Sequence, residues 1–397
     1  MGARTSSGAR AGPTAEAQGR GGGPVALKVL LVEPFYGGSH RAWADGYAAH
    51  SAHEVHVVTH PGTAWRWRLR GGALTLADDI AQTVAATGPP DVVLVSDMVD
   101  LPALLGYARR SVGAVPVAAY FHESQLLYPV EDGGAGPDRR LALVNWLTLA
   151  AADLVLFNSA YHRDGLMAAL PRFLGEATDD RHRRHLDGVV ARSEVMPVGV
   201  DLEGLSPDRR PSGVDTPLVL WSHRWEWDKQ LGRALHLLQG LAGEGVDFAV
   251  ALAGEQPDHL SDGLRRGVAE LGDRVVHKGF LPRAEYIDLL LRSDVVLSTA
   301  RHEFFGIAMV EAMAAGCVPV LPDALSYPEI VPPEWHGVAL HERRGDGPEA
   351  HLRSVLTGLP AARRAVDGLA AAMRRYDWSV VAPACDDRLE RLAATGS

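Results

Sequence analysis

Short apolar runs recur along the chain, and most are followed by a polar turn and then a stretch of helical spacing. The first run is Val25–Glu33, VALKVLLVE, whose centre is apolar and β-branched enough for a strand buried on both faces. Glycine-rich PFYGGSH follows, then a helical pattern from about Arg41. Further strands are expected at His53–Thr59, Asp91–Ser96, Val115–Phe121, Asp153–Asn158 and Ser193–Gly199. Leu205–Pro217 is polar, carries three prolines and reads as a linker. A second series then begins, with strands at Leu218–Ser222, Phe248–Gly254, Val275–Lys278, Asp294–Ser298 and Val318–Pro322. Tyr376–Leu392 has a helical pattern. Strand, loop and helix in alternation predict α/β structure with parallel sheets, here as two Rossmann-like, doubly wound domains facing a central cleft. The expected boundaries are 25–204 and 218–375, joined by 205–217.

Composition narrows the class. A chain of 397 residues with 47% hydrophobic and 22% charged residues has the balance of a folded protein with two cores. The net charge of −10 excludes a broad basic surface, so any nucleic-acid contact must be a local patch. Two distant cysteines, Cys317 and Cys385, make no disulfide framework and fit a reducing cytosol. Residues 1–24 are rich in Gly, Ala, Arg and Ser, lack an apolar signal core and are expected to be a disordered tail. The longest apolar stretch, Leu141–Phe157, contains Asn145 and Asp153 and is short for a membrane span; a buried helix followed by a buried strand accounts for it.

The sharpest local chemistry lies in Arg301–Val320, RHEFFGIAMVEAMAAGCVPV, after the strand DVVLS. Glu303 and Glu311 are separated by seven residues, with Phe305, Gly306 and Ile307 between them at the start of a helix. A helix N-terminus offers free N–H groups to a diphosphate. Glu303 is placed to meet a sugar hydroxyl and Glu311 to accept from ribose hydroxyls. Each glutamate alone is more often a solvated side chain; the full string makes the case. In WSHRWEWDK, Arg224 and Lys229 follow the strand that opens the second series and can neutralise a leaving diphosphate. In FHESQLLYP, His122 leaves the sheet facing the cleft. Gly37 and Gly38 would let backbone approach a ligand.

These residues together resemble retaining glycosyltransferases of the GT-B fold that carry an E-x7-E motif. Glu303 and Glu311 match that motif. Arg224 and Lys229 match the pair that grips the donor diphosphate, His122 falls where a histidine nears the transferred sugar, and Gly37 and Gly38 fall at the glycine-rich first turn. The resemblance implies a nucleotide-diphosphate sugar as donor, no cofactor and no metal. It also implies a terminal helix, within 376–397, that crosses back to the first domain.

The first-domain strings EPFYGGSHRAWADGY, TAWRWRLRGGALTLA and FHESQLLYP, with WSHRWEWDK, resemble the tRNA-queuosine α-mannosyltransferase family. That implies GDP-mannose as donor and the cyclopentenediol of queuosine in tRNA as acceptor. Ser39, His40 and Glu123 join the candidate acceptor residues on this resemblance. Trp65, Arg66, Trp67 and Arg68 interleave aromatic and basic residues, a composition suited to stacking on unpaired bases. The other reading has both tryptophans in the core and the arginines solvated. Arg181–His185 offers a second basic patch. A different acceptor class, such as a lipid-linked glycan, and a sugar-nucleotide binder without catalysis stay open at this point.

Overall fold

The computed structural model describes residues 26–129, 138–209, 216–343 and 347–395. The tail expected over residues 1–24 and residues 210–215 of the linker lie outside them. β1 (Lys28–Tyr36), β2 (Glu54–Pro61), β3 (Val92–Ser96), β4 (Val117–Phe121), β5 (Leu154–Phe157) and β6 (Ser193–Val195) form a sheet in the order β2-β1-β3-β4-β5-β6. β7 (Leu218–Ser222), β8 (Ala249–Ala253), β9 (Val275–Gly279), β10 (Val295–Leu297), β11 (Val318–Pro322) and β12 (Leu340–His341) form another, in the order β12-β11-β10-β7-β8-β9. Every pairing in both is parallel.

Parallel strands with helices on both faces must be apolar throughout, and β3, β4, β5, β7 and β11 are buried at every position. Burying each Val or Leu there contributes roughly 1.5–3 kcal/mol. The order reverses once per sheet, between β1 and β3 and between β7 and β10. At such a reversal successive helices leave to opposite faces, and a crevice opens beyond the carboxyl ends of the strands. Residues following β1, β3, β7 and β10 therefore meet at a site.

Several boundaries differ from expectation, among them β6, which ends at Val195 rather than Gly199. β1 begins at Lys28 rather than Val25 and continues through Tyr36, pairing Tyr36 with Pro61 of β2. The next helix, Gly38–His50, starts at the glycine pair rather than at Arg41. β12 had no legible signal, because two residues carry no periodicity. The apolar stretch Leu141–Phe157 divides into a helix, Arg139–Ala151, and β5. Among the described residues no helix is long and apolar enough to cross a membrane. Cys317 and Cys385 are both buried thiols that form no disulfide.

The terminal helix, Trp378–Thr395, docks on the first domain. Buried Asp386 accepts hydrogen bonds from Tyr47 Oη (2.7 Å), Ser51 Oγ (2.7 Å) and the Ala52 amide (2.8 Å). The Trp378 indole lies so close to Gly46 and Gly199 that a Cβ on either would fall 2.3 or 2.2 Å from it. Glycine at both places is thus a packing requirement. This contact joins the end of the chain to the first domain and so helps set the two crevices face to face.

Candidate active site

The crevices share one cleft of about 450 Å³. Of the residues picked from sequence, Gly38, Ser39, His40, His122 and Glu123 line it from the first domain. Arg224, Lys229, Glu303, Phe305, Gly306 and Ile307 line it from the second.

On the second-domain wall, the loop after β7 delivers Arg224 and Lys229 and the loop after β10 delivers Glu303. Lys229 is 8% exposed, and its Nζ donates to the His302 carbonyl at 2.8 Å. It also lies 3.3 Å from Glu303 Oε2 and 3.2 Å from Asp228 Oδ2. Burial alone would lower the Lys229 pKa, but Glu303 and Asp228 raise it above the usual lysine value. Burial would raise the Glu303 carboxyl, yet Lys229 and His223 hold it below its usual value. Each thereby keeps the other charged in a partly dry site. Arg224 is more exposed and is steered by Glu226 Oε1 at 2.8 Å.

Gly306 caps the helix Ile307–Ala314 with φ +104, a conformation that L side chains rarely adopt. Ser326 Oγ donates to the Phe305 carbonyl at 2.8 Å and pins the loop. The free N–H groups of that helix thus open beside Glu303.

Glu311 is placed otherwise than expected. It is buried within the helix, does not line the cleft, and is ion-paired with Arg283. Arg283 also donates to the Asp201 carbonyl at 2.7 Å, bridging toward the first domain. Gly37 is also corrected: it is extended at φ −162, and a Cβ there would lie 3.2 Å from Gly62 Cα. Its bareness serves backbone packing just past the ends of β1 and β2. Gly38, at φ +52 with open space around it, is the one that faces the cleft.

On the first-domain wall, His122 follows β4, and its ring packs against His40, Trp43 and Tyr120 at centroid distances of 4.3, 4.7 and 4.7 Å. Its amide donates to Asp97 Oδ1 at 2.8 Å, and Asn158 Nδ2 donates to its carbonyl at 2.8 Å. Its Nε2 is buried without a partner. Burial, with His40 and His162 nearby, pushes its pKa well below the usual histidine value. His40 differs. Burial alone would lower it, but Glu33, Asp97 and Glu123 raise it to about 9. Burial raises Asp97 to about 8 against the pull of His40, and raises Glu123 above its usual value. Donor atoms of Glu33, His40 and His122 lie within 4.8 Å of one another. The Glu33–His40 contact among them, at 3.1 Å, is a hydrogen bond, so the set reads as an ion pair beside a neutral imidazole.

Family models match both halves of this architecture. One, described as tRNA-queuosine alpha-mannosyltransferase N-terminal, matches residues 28–200, and one for glycosyl transferases group 1 matches residues 206–367. The tRNA-queuosine alpha-mannosyltransferase of Drosophila melanogaster is 33% identical over 316 residues, covering 77% of this chain and 82% of its own. The chain belongs to the tRNA-queuosine alpha-mannosyltransferase family. It is a glycosyltransferase. A GDP-mannose-dependent phosphatidylinositol dimannoside mannosyltransferase of Mycobacterium tuberculosis is 27% identical over 343 residues, covering 77% of this chain and 82% of its own. Sucrose-phosphate synthase from Thermosynechococcus elongatus superposes with a TM-score of 0.70 at 18% identity, over 93% of this chain and 100% of its own. That likeness shows the fold, and with the two six-stranded sheets it is of the GT-B kind.

Within this family member, the aromatic–basic string sits outside the cleft. Trp65–Arg68 opens the helix Trp65–Thr87, anchored by fully buried Leu69. Trp67 is 69% exposed, which removes the reading that both tryptophans are core. Arg66 stacks over the Trp65 ring at 4.5 Å, while Arg68 bonds His60 at 3.2 Å. The helix begins just past Gly62, which packs on Gly37, the neighbour of cleft-lining Gly38. Arg181–His185 is largely exposed, with Arg184 paired to Asp180 at 2.8 Å, and does not line the cleft.

Sequence reasoning missed Glu33, Asp97, His223 and Gly254. A Cβ on Gly254 would fall 1.9 Å from the His223 carbonyl, a contact between neighbouring strand ends that spacing does not reveal. Glu33 was visible as a charge ending an apolar strand, the signal that could have found it.

Proposed function

We propose that the enzyme transfers mannose from GDP-mannose to the cyclopentenediol of queuosine in a tRNA, with retention, in the cytoplasm. The observation that carries this reading is that the first domain matches the tRNA-queuosine family model, while Arg224, Lys229 and Glu303 face it across the cleft. The GDP-mannose dependence named for the mycobacterial relative supports the donor.

In this reading Arg224, Lys229 and the N-terminus at Gly306 hold the diphosphate, Glu303 orients a sugar hydroxyl, and neutral His122 meets the sugar from the opposite wall. Glu311, expected at the donor ribose, is held by Arg283 outside the cleft and takes no part in this scheme. The C1–O bond to phosphate breaks, C1 bonds to the acceptor oxygen on the same face, and the hydroxyl proton passes to the departing phosphate. Preorganised cations matter most where that charge develops. Ser39 and Glu123 are placed to contact the acceptor, and Trp65, Arg66, Trp67 and Arg68 to contact flanking RNA. No metal or cofactor is required by this scheme.

The test is nucleoside mass spectrometry after incubating purified enzyme and queuosine-containing tRNA with GDP-, UDP- or ADP-sugars. A hexose-bearing queuosine formed from GDP-mannose is expected. No modification with any donor would overturn the acceptor, and modification only with another donor would overturn the sugar nucleotide.

A further inference from the structure

Two imidazoles in contact on the first-domain wall are in opposite environments. Glu33 is 0% exposed, the last residue of β1 before its register with β2 shifts, and its Oε1 accepts the Phe35 amide at 2.9 Å. Its other oxygen takes His40 Nδ1 at 3.1 Å. This leaves His40 Nε2 as the free end of a ring that is 8% exposed and lines the cleft. His40 stands in the first turn of the helix Gly38–His50, whose first turn holds no acidic residue. The groups facing it are Glu33 from β1, Asp97 after β3, and His122 and Glu123 after β4, with Arg224 acting on Glu123 from the second domain. A buried carboxylate behind a histidine fixes its tautomer and stabilises its charged form. Neighbouring titratable groups driven apart in this way commonly divide charged and neutral roles at an active site.

We propose that Glu33 and His40 form a positioning pair, in which the buried carboxylate holds His40 as an imidazolium whose Nε2–H serves an oxygen of the departing diphosphate. The pair supplies a third cation opposite Arg224 and Lys229, and it moves His40 from the acceptor side to the donor side. Neutral His122 beside it stays an uncharged partner for the sugar. The inference rests on the reading that a nucleotide-diphosphate sugar is cleaved in this cleft, and it is independent of the acceptor. No bond is made to His40; it donates a hydrogen bond while the C1–O bond breaks.

The experiment is donor hydrolysis without tRNA, followed from pH 5.5 to about 10 for wild type, Glu33→Gln and His40→Gln, with GDP-mannose as substrate and GDP as competitive ligand. Wild type should keep its rate through neutral pH and lose it on an alkaline limb near pH 9, where His40 releases its proton. Glu33→Gln should move that limb down toward the ordinary histidine value near 6.5, with activity recovered at acid pH. His40→Gln should abolish the limb, lower turnover on the order of 100-fold and weaken GDP. A Glu33→Gln profile superimposed on wild type overturns the pair, and unchanged GDP affinity and turnover in His40→Gln overturn the donor-side role. If Glu33→Gln does not fold, NMR titration of the wild-type His40 ring decides: protonation retained at pH 8 supports the proposal, and a neutral ring overturns it. All readouts omit tRNA, so failure of the queuosine acceptor leaves them intact; the NMR titration stands even if GDP-mannose is not the donor.

Discussion

The two walls of the cleft have the same architecture and different electrostatics. Each is made of loops at the carboxyl ends of parallel strands, those after β1, β4 and β5 on one side, with Asp97 after β3 bonded to the His122 amide, and those after β7, β8, β9 and β10 on the other. On the second-domain wall, positive charge is carried by Arg224 and Lys229, each tied to a carboxylate in its own wall. On the first-domain wall, imidazoles pack among aromatics, and a buried glutamate divides one charged histidine from one neutral histidine. Topology thus supplies the place, twice over, and the few side chains at strand ends decide what chemistry each place supports. The paired wall is preorganised for an anion. On the imidazole wall, His122 Nε2 is buried without a hydrogen-bond partner.

The largest expected effect tests whether the second wall carries the leaving group. Lys229→Ala should cut turnover by roughly 100- to 1000-fold, with the Glu303 carboxyl rising once its main opposing cation is gone. Steady-state kinetics with GDP-mannose checks this, and a loss below tenfold would shift the weight to the opposite wall.

A second comparison uses stability against pH. His162, His223 and His302 are held neutral in the fold, at about 3, 3 and 4, by burial first and, for His223 and His302, then by the positive charge of Lys229. Below the ordinary histidine value near 6.5, the unfolded chain takes up protons that the fold refuses, so stability falls as pH falls through that range. His40 is opposite in sign. Its contribution is full below 6.5 and is lost as pH rises through about 9. Each group changes stability by up to about 1.4 kcal/mol per pH unit. Urea unfolding at pH 5, 6.5 and 8.5 should find a maximum near 6.5. His223→Gln should flatten the acid side and His40→Gln the alkaline side; the same residual slope in both variants would contradict the opposite signs of these two histidines.

The smallest effect concerns the aromatic–basic string. Trp67→Ala should weaken tRNA binding by about 5- to 100-fold, the range of one lost base stack. It should leave the folding free energy within about 0.5 kcal/mol, since the ring is 69% exposed. Binding at fixed salt would show it. Unchanged affinity would remove the aromatic–basic string from the acceptor surface.

Much of the second wall was legible because it is local. Glu303, Gly306 and the following helix lie within a few residues, and strand–loop–helix spacing carries their geometry. Glu311 was identified by its interval, but its partner Arg283 lies on the separate helix Arg283–Arg292 and has no spacing relation to it. On the first wall His122 was legible at a strand end, whereas Gly37 was assigned to a ligand and instead packs on Gly62, just past the end of β2.

The sequence by itself determined the alternation of strands and helices, the two domains that follow from it, and the donor motif, because apolar periodicity and short intervals are properties of contiguous chain. Only the tertiary structure decided which distant residues share an environment. Parallel register aligns Val29 with Val92 and Val93 with Val117, so the loops after β1, β3 and β4 converge. That convergence sets Glu33 and Asp97 around His40 and His122, and burial together with charge at those short distances makes one histidine a cation and leaves the other neutral.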